Sequence, residues 1–94
     1  MIPEGARPKL AARARLREDR ISGRTMLLYP ERGLALNASA AAIVRLCDAH
    51  HTVAEIVAAL AAERPEAQAT IAADVTALLE ALVARGLLTW TAAS

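Results

Sequence analysis

The stretch Thr25-Met26-Leu27-Leu28-Tyr29-Pro30-Glu31-Arg32-Gly33-Leu34-Ala35-Leu36-Asn37-Ala38-Ser39-Ala40-Ala41-Ala42-Ile43-Val44-Arg45-Leu46-Cys47-Asp48 decides the fold of this chain. Met26 to Tyr29 is apolar and suits a strand. Pro30 and Gly33 bracket a turn, because Pro presets φ and Gly accepts a positive one. Leu34-Ala35-Leu36 is a second short strand. Asn37 or Ser39 then caps a helix by accepting from its free N–H groups. A strand of three or four residues that runs straight into a helix leaves its far edge without a partner. Such an edge can receive another chain as an added strand.

Working towards the N-terminus, Arg13-Ala14-Arg15-Leu16-Arg17 alternates basic and apolar residues. Period two means a strand with Ala14 and Leu16 inward and Arg13, Arg15 and Arg17 outward. Asp19 to Arg24, with Ser22-Gly23, forms the turn that follows. Residues 1–12 hold two prolines and a glycine without periodicity and read as a flexible N-terminal segment.

Towards the C-terminus, a first helix runs from about Ala38 to Asp48 with Ile43, Leu46 and Cys47 on one face. Thr52-Val53-Ala54-Glu55 matches a capping box and opens a second helix, whose buried stripe is Val53, Ile56, Val57 and Leu60. Arg64-Pro65-Glu66 ends it, since a proline disfavours helix at the residue before it. The third helix starts near Gln68 or Thr70 and ends at Arg85, with Gly86 as the left-handed stop. It carries Ile71, Val75, Leu78, Leu79, Leu82 and Val83. Leu87-Leu88-Thr89-Trp90 is an extended coda over the core. The order β-β-β-α-α-α implies an α+β domain, a small three-stranded antiparallel sheet packed on a three-helix bundle. The expected boundaries are 1–12 for the leader, 13–90 for the domain and 91–94 for a tail.

Ninety-four residues bury one modest core. Alanine supplies 24 of them, so the positive mean hydropathy reflects small side chains, not a membrane segment. No hydrophobic signal core opens the chain, and a single cysteine fits a reducing compartment, so a cytoplasmic location is expected. The net charge of +1 hides an asymmetry. Residues 1–32 carry +4 and residues 33–94 carry −3. Acidic helices are poorly suited to lie against phosphates, and Tyr29 and Trp90 are too few for a base-stacking platform. Neither nucleic acid nor membrane is expected as a partner.

The residue inventory offers no catalytic constellation: no phosphate loop, no Gly-x-Ser-x-Gly, no Cys-x-x-Cys. Cys47 sits on an apolar helix face and reads as core. His50-His51 are adjacent on a turn, cannot easily chelate one ion together, and read as solvated. No catalytic residue, metal or cofactor is expected. Asp74 lies among apolar neighbours, either solvated beside the core or at the rim of a binding groove.

Six motifs in order carry a resemblance over about residues 8–90. They are Arg15-Leu16-Arg17-x-Asp19, Leu27-Leu28-Tyr29-Pro30-Glu31, Leu36-Asn37-x-x-Ala40-x-x-Ile43, Leu46-Cys47-Asp48, Thr52-Val53-x-x-Ile56 and Asp74-Val75-x-x-Leu78-x-x-Leu82-x-x-x-Gly86-Leu87. The chain thereby resembles the family of pyrroloquinoline quinone biosynthesis protein D (PqqD). One departure is Asp48-Ala49, where the family usually has Asp-Gly. The resemblance implies a winged-helix-like build and a peptide chaperone. Such a chaperone binds the precursor peptide PqqA and presents it to the radical S-adenosylmethionine enzyme PqqE. The peptide would lie as a further strand beside the third strand and against the third helix. Carried onto this chain, Leu34, Ala35, Leu36 and Asn37 form the strand wall, and Ile71, Asp74, Val75 and Leu78 form the helix wall. The outward row Arg13, Arg15 and Arg17 is assigned to docking of the partner enzyme. The alternative that the fold alone permits is a winged-helix DNA-binding regulator.

Overall fold

The computed structural model describes residues 2–30 and 32–92. Five strands and three helices follow in the order β1 (Arg7–Leu10), β2 (Arg15–Glu18), β3 (Thr25–Tyr29), β4 (Arg32–Leu36), α1 (Ala38–Arg45), α2 (Val53–Ala61), α3 (Gln68–Ala84) and β5 (Leu88–Thr91). A 3-10 turn over Pro65–Ala67 leads into α3. The strands β2-β3-β4 form an antiparallel three-stranded sheet, and β1 pairs with β5 in a second sheet of two strands. The α+β architecture expected from the sequence is the one observed, with the small β1–β5 sheet added to it.

Local signals place the helices. Asn37 caps α1, its Oδ1 accepting from the Ala40 N–H at 2.8 Å. The capping box of α2 is complete: Thr52 N–H donates to Glu55 Oε1 at 2.7 Å and Glu55 N–H to Thr52 Oγ1 at 3.1 Å. The end of α3 is a Schellman motif. Gly86, at φ +72°, donates to the Val83 carbonyl, and the Leu87 N–H reaches back to that of Leu82. That reversal drives Leu87 and Leu88 into the core beside Leu79, Leu82 and Val75 of α3, Ile56 of α2, Val44 of α1 and Leu27 of β3. By length and composition Pro65–Ala84 could cross a bilayer. Here that stretch packs against α2 and β5, with Val75, Leu79 and Leu82 in the core.

Three expectations are corrected. Residues 2–12 are not a free leader. β1 pairs along β5 from Arg7↔Thr91 to Leu10↔Leu88, and Ala6 and Pro8 are buried. The Ala6 and Pro8 carbonyls accept from Val53 and Ala49, so both edges of β1 are occupied. The prolines that read as breaks are compatible with this. The Ala11 N–H to Leu87 carbonyl bond makes Arg7 and Lys9 the hydrogen-bonded positions towards β5, and Pro8 needs no donor there. Met1 lies outside the described residues. Second, α1 ends at Arg45, with Leu46 as C-cap, three residues before Asp48. Third, Gly33 lies within β4 and its φ is not positive. Its use is space: a Cβ there would come within 2.9 Å of Leu28 Cδ2 and 3.2 Å of Met26 Cε. Glu31, in the same turn, lies outside the described residues.

Where Asp-Gly was the family habit, the turn keeps its shape without the glycine: Ala49 sits at φ +71°. The left-handed region costs an L-residue about 1–2 kcal/mol, and glycine gives back part of that gain as extra freedom when unfolded. Ala49→Gly is therefore expected to stabilise the domain by about 0.5–1 kcal/mol, raising Tm by roughly 2–8 °C in a melting experiment.

Candidate functional site

β4 is an edge strand, and its ladder parity can be fixed. The Asp19 N–H donates to the Arg24 carbonyl at 2.7 Å, one step beyond the pair Glu18↔Thr25. Hydrogen-bonded pairs alternate in an antiparallel ladder. On β3, residues 24, 26 and 28 therefore bond to β2, leaving 25, 27 and 29 for β4. Their partners across the ladder are Leu36, Leu34 and Arg32. The backbone N–H and C=O groups of Gly33 and Ala35 consequently point away from the sheet, and no described residue pairs with them. Side chains alternate in step: Leu36 is buried, Leu34 half-buried, and Ala35 and Gly33 exposed.

The other edge of this sheet, β2, is protected. It reads Arg15-Leu16-Arg17-Glu18, and charged side chains on an edge discourage pairing. From Gly33 to Leu36, β4 has no charge at all. The two edges of one sheet are thus chemically unequal, β2 carrying three charged side chains and β4 one, Arg32, at its start.

Beyond β4, the first turn of α1 separates two hollows, and Ala38 lines both. One, of about 360 Å³, is an apolar cleft between α1 and the start of α3, formed by Ala42, Ile43, Leu60, Ile71 and Val75, with Arg64 and Asp74 on its wall. The other, of about 650 Å³, is polar and includes Ala35, Leu36 and Asn37 with Glu18, Arg24 and Arg45. There Arg45 Nη2 donates to Thr25 Oγ1 at 2.8 Å, tying α1 to β3.

The residues assigned from the sequence fall as follows. Ile71, Asp74 and Val75 line the apolar cleft, Val75 fully buried within it and Asp74 exposed. Ala35, Leu36 and Asn37 line the polar hollow. Leu34 and Leu78 are half-buried against the core and line neither. Asn37 is the cap of α1 and not part of the strand. The strand wall and the helix wall thus meet only at Ala38. Ser39, Ala42, Ile43, Leu60 and Arg64 join the cleft although the sequence did not single them out for it. Ile43 and Leu60 belong to stripes that read as core, and nothing in the sequence marks Arg64. Arg15 and Arg17 are exposed on β2, as the alternation implies; Arg13 is exposed too, but it lies in the turn before the strand, which starts at Arg15 and not at Arg13.

Other reactive groups are tied up. Cys47 is buried, and burial, with the Asp48 charge second, pushes its thiol up to about 12. Among the described residues no group of three or more His, Cys, Asp or Glu side chains could hold a metal. Asp48 braces the α1–α2 junction. Its Oδ1 accepts from the backbone N–H groups of His50 at 2.8 Å and His51 at 3.2 Å, and His51 Nδ1 lies 3.0 Å away. The His51 ring, followed by the His50 N–H, lowers its carboxyl from 3.8 to about 2. A depressed carboxyl contributes stability that is complete above its ordinary value and disappears as pH falls through the lowered one. Between about pH 4 and pH 2 the parent is therefore expected to lose thermal stability faster than Asp48→Asn, as read from Tm against pH. Equal slopes would remove Asp48 from the acid response.

The architecture is that of a small α+β domain with an open strand edge, uncharged from Gly33 to Leu36, beside an apolar helical cleft. Residues 24–88 match the family Coenzyme PQQ synthesis protein D (PqqD), and the chain belongs to that family. It is similar to the PqqA binding protein of Rhodopseudomonas palustris (strain HaA2), at 41% identity over 88 residues, covering 94% of this chain and 86% of the relative. The PqqA binding protein of Xanthomonas axonopodis pv. citri is 37% identical over 87 residues, 93% of this chain and 95% of that one. Among solved structures, the solution NMR structure of the PqqD truncation of Methylobacterium extorquens PqqCD has a TM-score of 0.73 and 33% identity, covering 87% of each chain. That protein is described as a functional, stand-alone recognition element for ribosomally synthesised and post-translationally modified peptides.

Proposed function

We propose that this chain is a non-catalytic peptide chaperone of pyrroloquinoline quinone biosynthesis: it binds the precursor peptide PqqA and presents it to the radical S-adenosylmethionine enzyme PqqE. The observation that carries the reading is the β4 edge. Its outward N–H and C=O groups at Gly33 and Ala35 have no partner among the described residues, and from Gly33 to Leu36 it carries no charge. Relatives named as PqqA binding proteins support the choice of peptide.

In this reading the peptide adds as a strand along Leu34–Asn37. Backbone bonds to Ala35 supply affinity, and side chains reaching the cleft at Ile71, Asp74 and Val75 supply selectivity. Leu78 supports the α3 wall from the half-buried side. Arg13, Arg15 and Arg17 lie on or beside β2, at the far side of the sheet from β4, and dock the enzyme while the peptide stays bound. A mixed role is economical here, since long-range attraction by one row of like charge speeds encounter without occupying the groove.

The test is an amide-shift titration of the labelled protein with PqqA. Shifts should concentrate on residues 33–39 and 71–75. Shifts confined to β1, β5 or the far end of α3 would place the peptide elsewhere.

A further inference from the structure

The polar hollow at the end of β4 lies on the path of any strand added to that edge. Ala35, Leu36 and Asn37 carry the edge directly into it. Across the sheet, Glu18 pairs with Thr25 and Thr25 with Leu36, so the three form one row. Leu36 is buried, which makes this the inner face. An added strand extends the row by one place, and its residue beside Leu36 turns its side chain to the same face. There it meets α1, whose Ala38, Ala41 and Arg45 stand on one side of the helix at i, i+3 and i+7 and line the hollow. Two alanines leave the space open, and an arginine closes its end.

That arginine is held in place. Arg45 Nη2 donates to Thr25 Oγ1 at 2.8 Å, so its guanidinium stands over the middle of the row, on the neighbour of Leu36. A guanidinium has five N–H donors, and this bond uses one. Arg24, next to Thr25, lines the same hollow. Neither arginine has a carboxylate of a described residue within ion-pair distance. Glu18 is the one acid among the described lining residues, and it stands at the end of the row away from β4. Strands lie ~4.8 Å apart, so a residue beside Leu36 starts about 10 Å from Thr25 and about 14 Å from Glu18. An acidic side chain there reaches back to Arg45, and Glu18 keeps it from going deeper. A basic side chain would meet two arginines, and an apolar one would cover their charges without pairing them.

We propose that this hollow takes an acidic side chain of the bound peptide, the residue beside Leu36, with Arg45 as its first partner and Arg24 as its second. The inference rests on the reading that PqqA adds as a strand along β4. The apolar cleft lies on the other side of the first turn of α1. One peptide therefore meets backbone pairing, an apolar contact and a charge contact together, and an extended segment without the acid forfeits the third. Backbone bonds alone accept any extended chain, so it is contacts of this kind that discriminate.

The test is a double-mutant cycle read by calorimetric titration. PqqA, and PqqA with each acidic residue changed in turn to its amide, are titrated into the parent, Arg45→Gln and Arg24→Gln. Arg45 also sits in the last turn of α1, where a cation is favourable, so a melt accompanies each variant. The Arg24 side chain holds no bond to a described residue, so Arg24→Gln should fold like the parent. Arg45→Gln should weaken PqqA about 5- to 10-fold, and Arg24→Gln about 2- to 5-fold. One amide peptide should show the same loss against the parent and no further loss against Arg45→Gln. A folded Arg45→Gln that binds PqqA like the parent overturns the pocket and leaves strand addition standing. Amide peptides that lose as much against Arg45→Gln as against the parent overturn it too, since Arg45 would then act on the fold alone. Should Arg45→Gln not fold, the same cycle with Arg24→Gln decides, and absence of coupling there overturns the pocket. A parent that does not bind PqqA removes the peptide reading, and the pocket with it.

Discussion

Ala35→Pro should leave the protein folded and cost it its peptide. The parity of the β2–β3–β4 ladder points the Ala35 N–H outward, so proline there removes no bond to β3. Edge strands accept proline on their free side, and the preceding residue, Leu34, is already extended as proline requires. What is lost is one donor to an added strand. An acceptor buried against the edge and left unpaired costs about 1–3 kcal/mol, which is roughly a 5- to 150-fold rise in Kd. Leu36→Pro is the contrasting variant. Leu36 is hydrogen-bonded to Thr25 across the ladder, so proline there should break the sheet and lower Tm sharply. Calorimetric titration with PqqA, with a melt for each variant, reads both. A folded Ala35→Pro that binds PqqA like the parent would end the strand-addition proposal and leave the α1–α3 cleft as the remaining candidate.

A larger effect on stability is expected at Leu79. It is fully buried on α3, against a core that includes Leu27, Ile56, Leu82, Leu87 and Leu88. Leu79→Ala removes those contacts and leaves a cavity, costing about 2–5 kcal/mol. For a domain of this size the total is only about 5–15 kcal/mol, so Tm should fall by about 10 °C or more. Ile71, two turns earlier on the same helix, is half-buried and lines the cleft. Ile71→Ser should therefore cost little stability and reduce PqqA affinity. The pair separates the two uses of α3. Equal losses of stability would make Ile71 simply core, and its place in the peptide site would have to be given up.

What the sequence by itself determined is what depends on neighbours a few residues away. Thr52 and Glu55 read as a capping box because their two bonds close within one turn. Gly86 read as a helix stop because only the backbone just before it must be satisfied. The alternation of Arg13 to Arg17 announced an edge whose outward side is charged. The six ordered motifs, spread over most of the chain, announced the family.

What the tertiary structure decided depends on partners far along the chain. β1 is ordered because Leu88–Thr91, about eighty residues on, supplies one edge and the α1–α2 junction the other, which no local pattern in residues 1–12 could reveal. Ala49 is held in a left-handed conformation that its own side chain disfavours, because Pro8 accepts its N–H and Asp48 fixes the turn beside it. Which backbone groups of β4 face outward follows from a ladder counted across three strands. The apolar cleft exists only where α1, α2 and α3 converge, and it takes Ile43 and Leu60 from stripes whose periodicity looks the same whether the face meets core or ligand. Hydrogen bonds within a turn are legible in a chain because their geometry is closed locally; an edge, a cleft or a strained residue is a property of what the rest of the fold leaves uncovered.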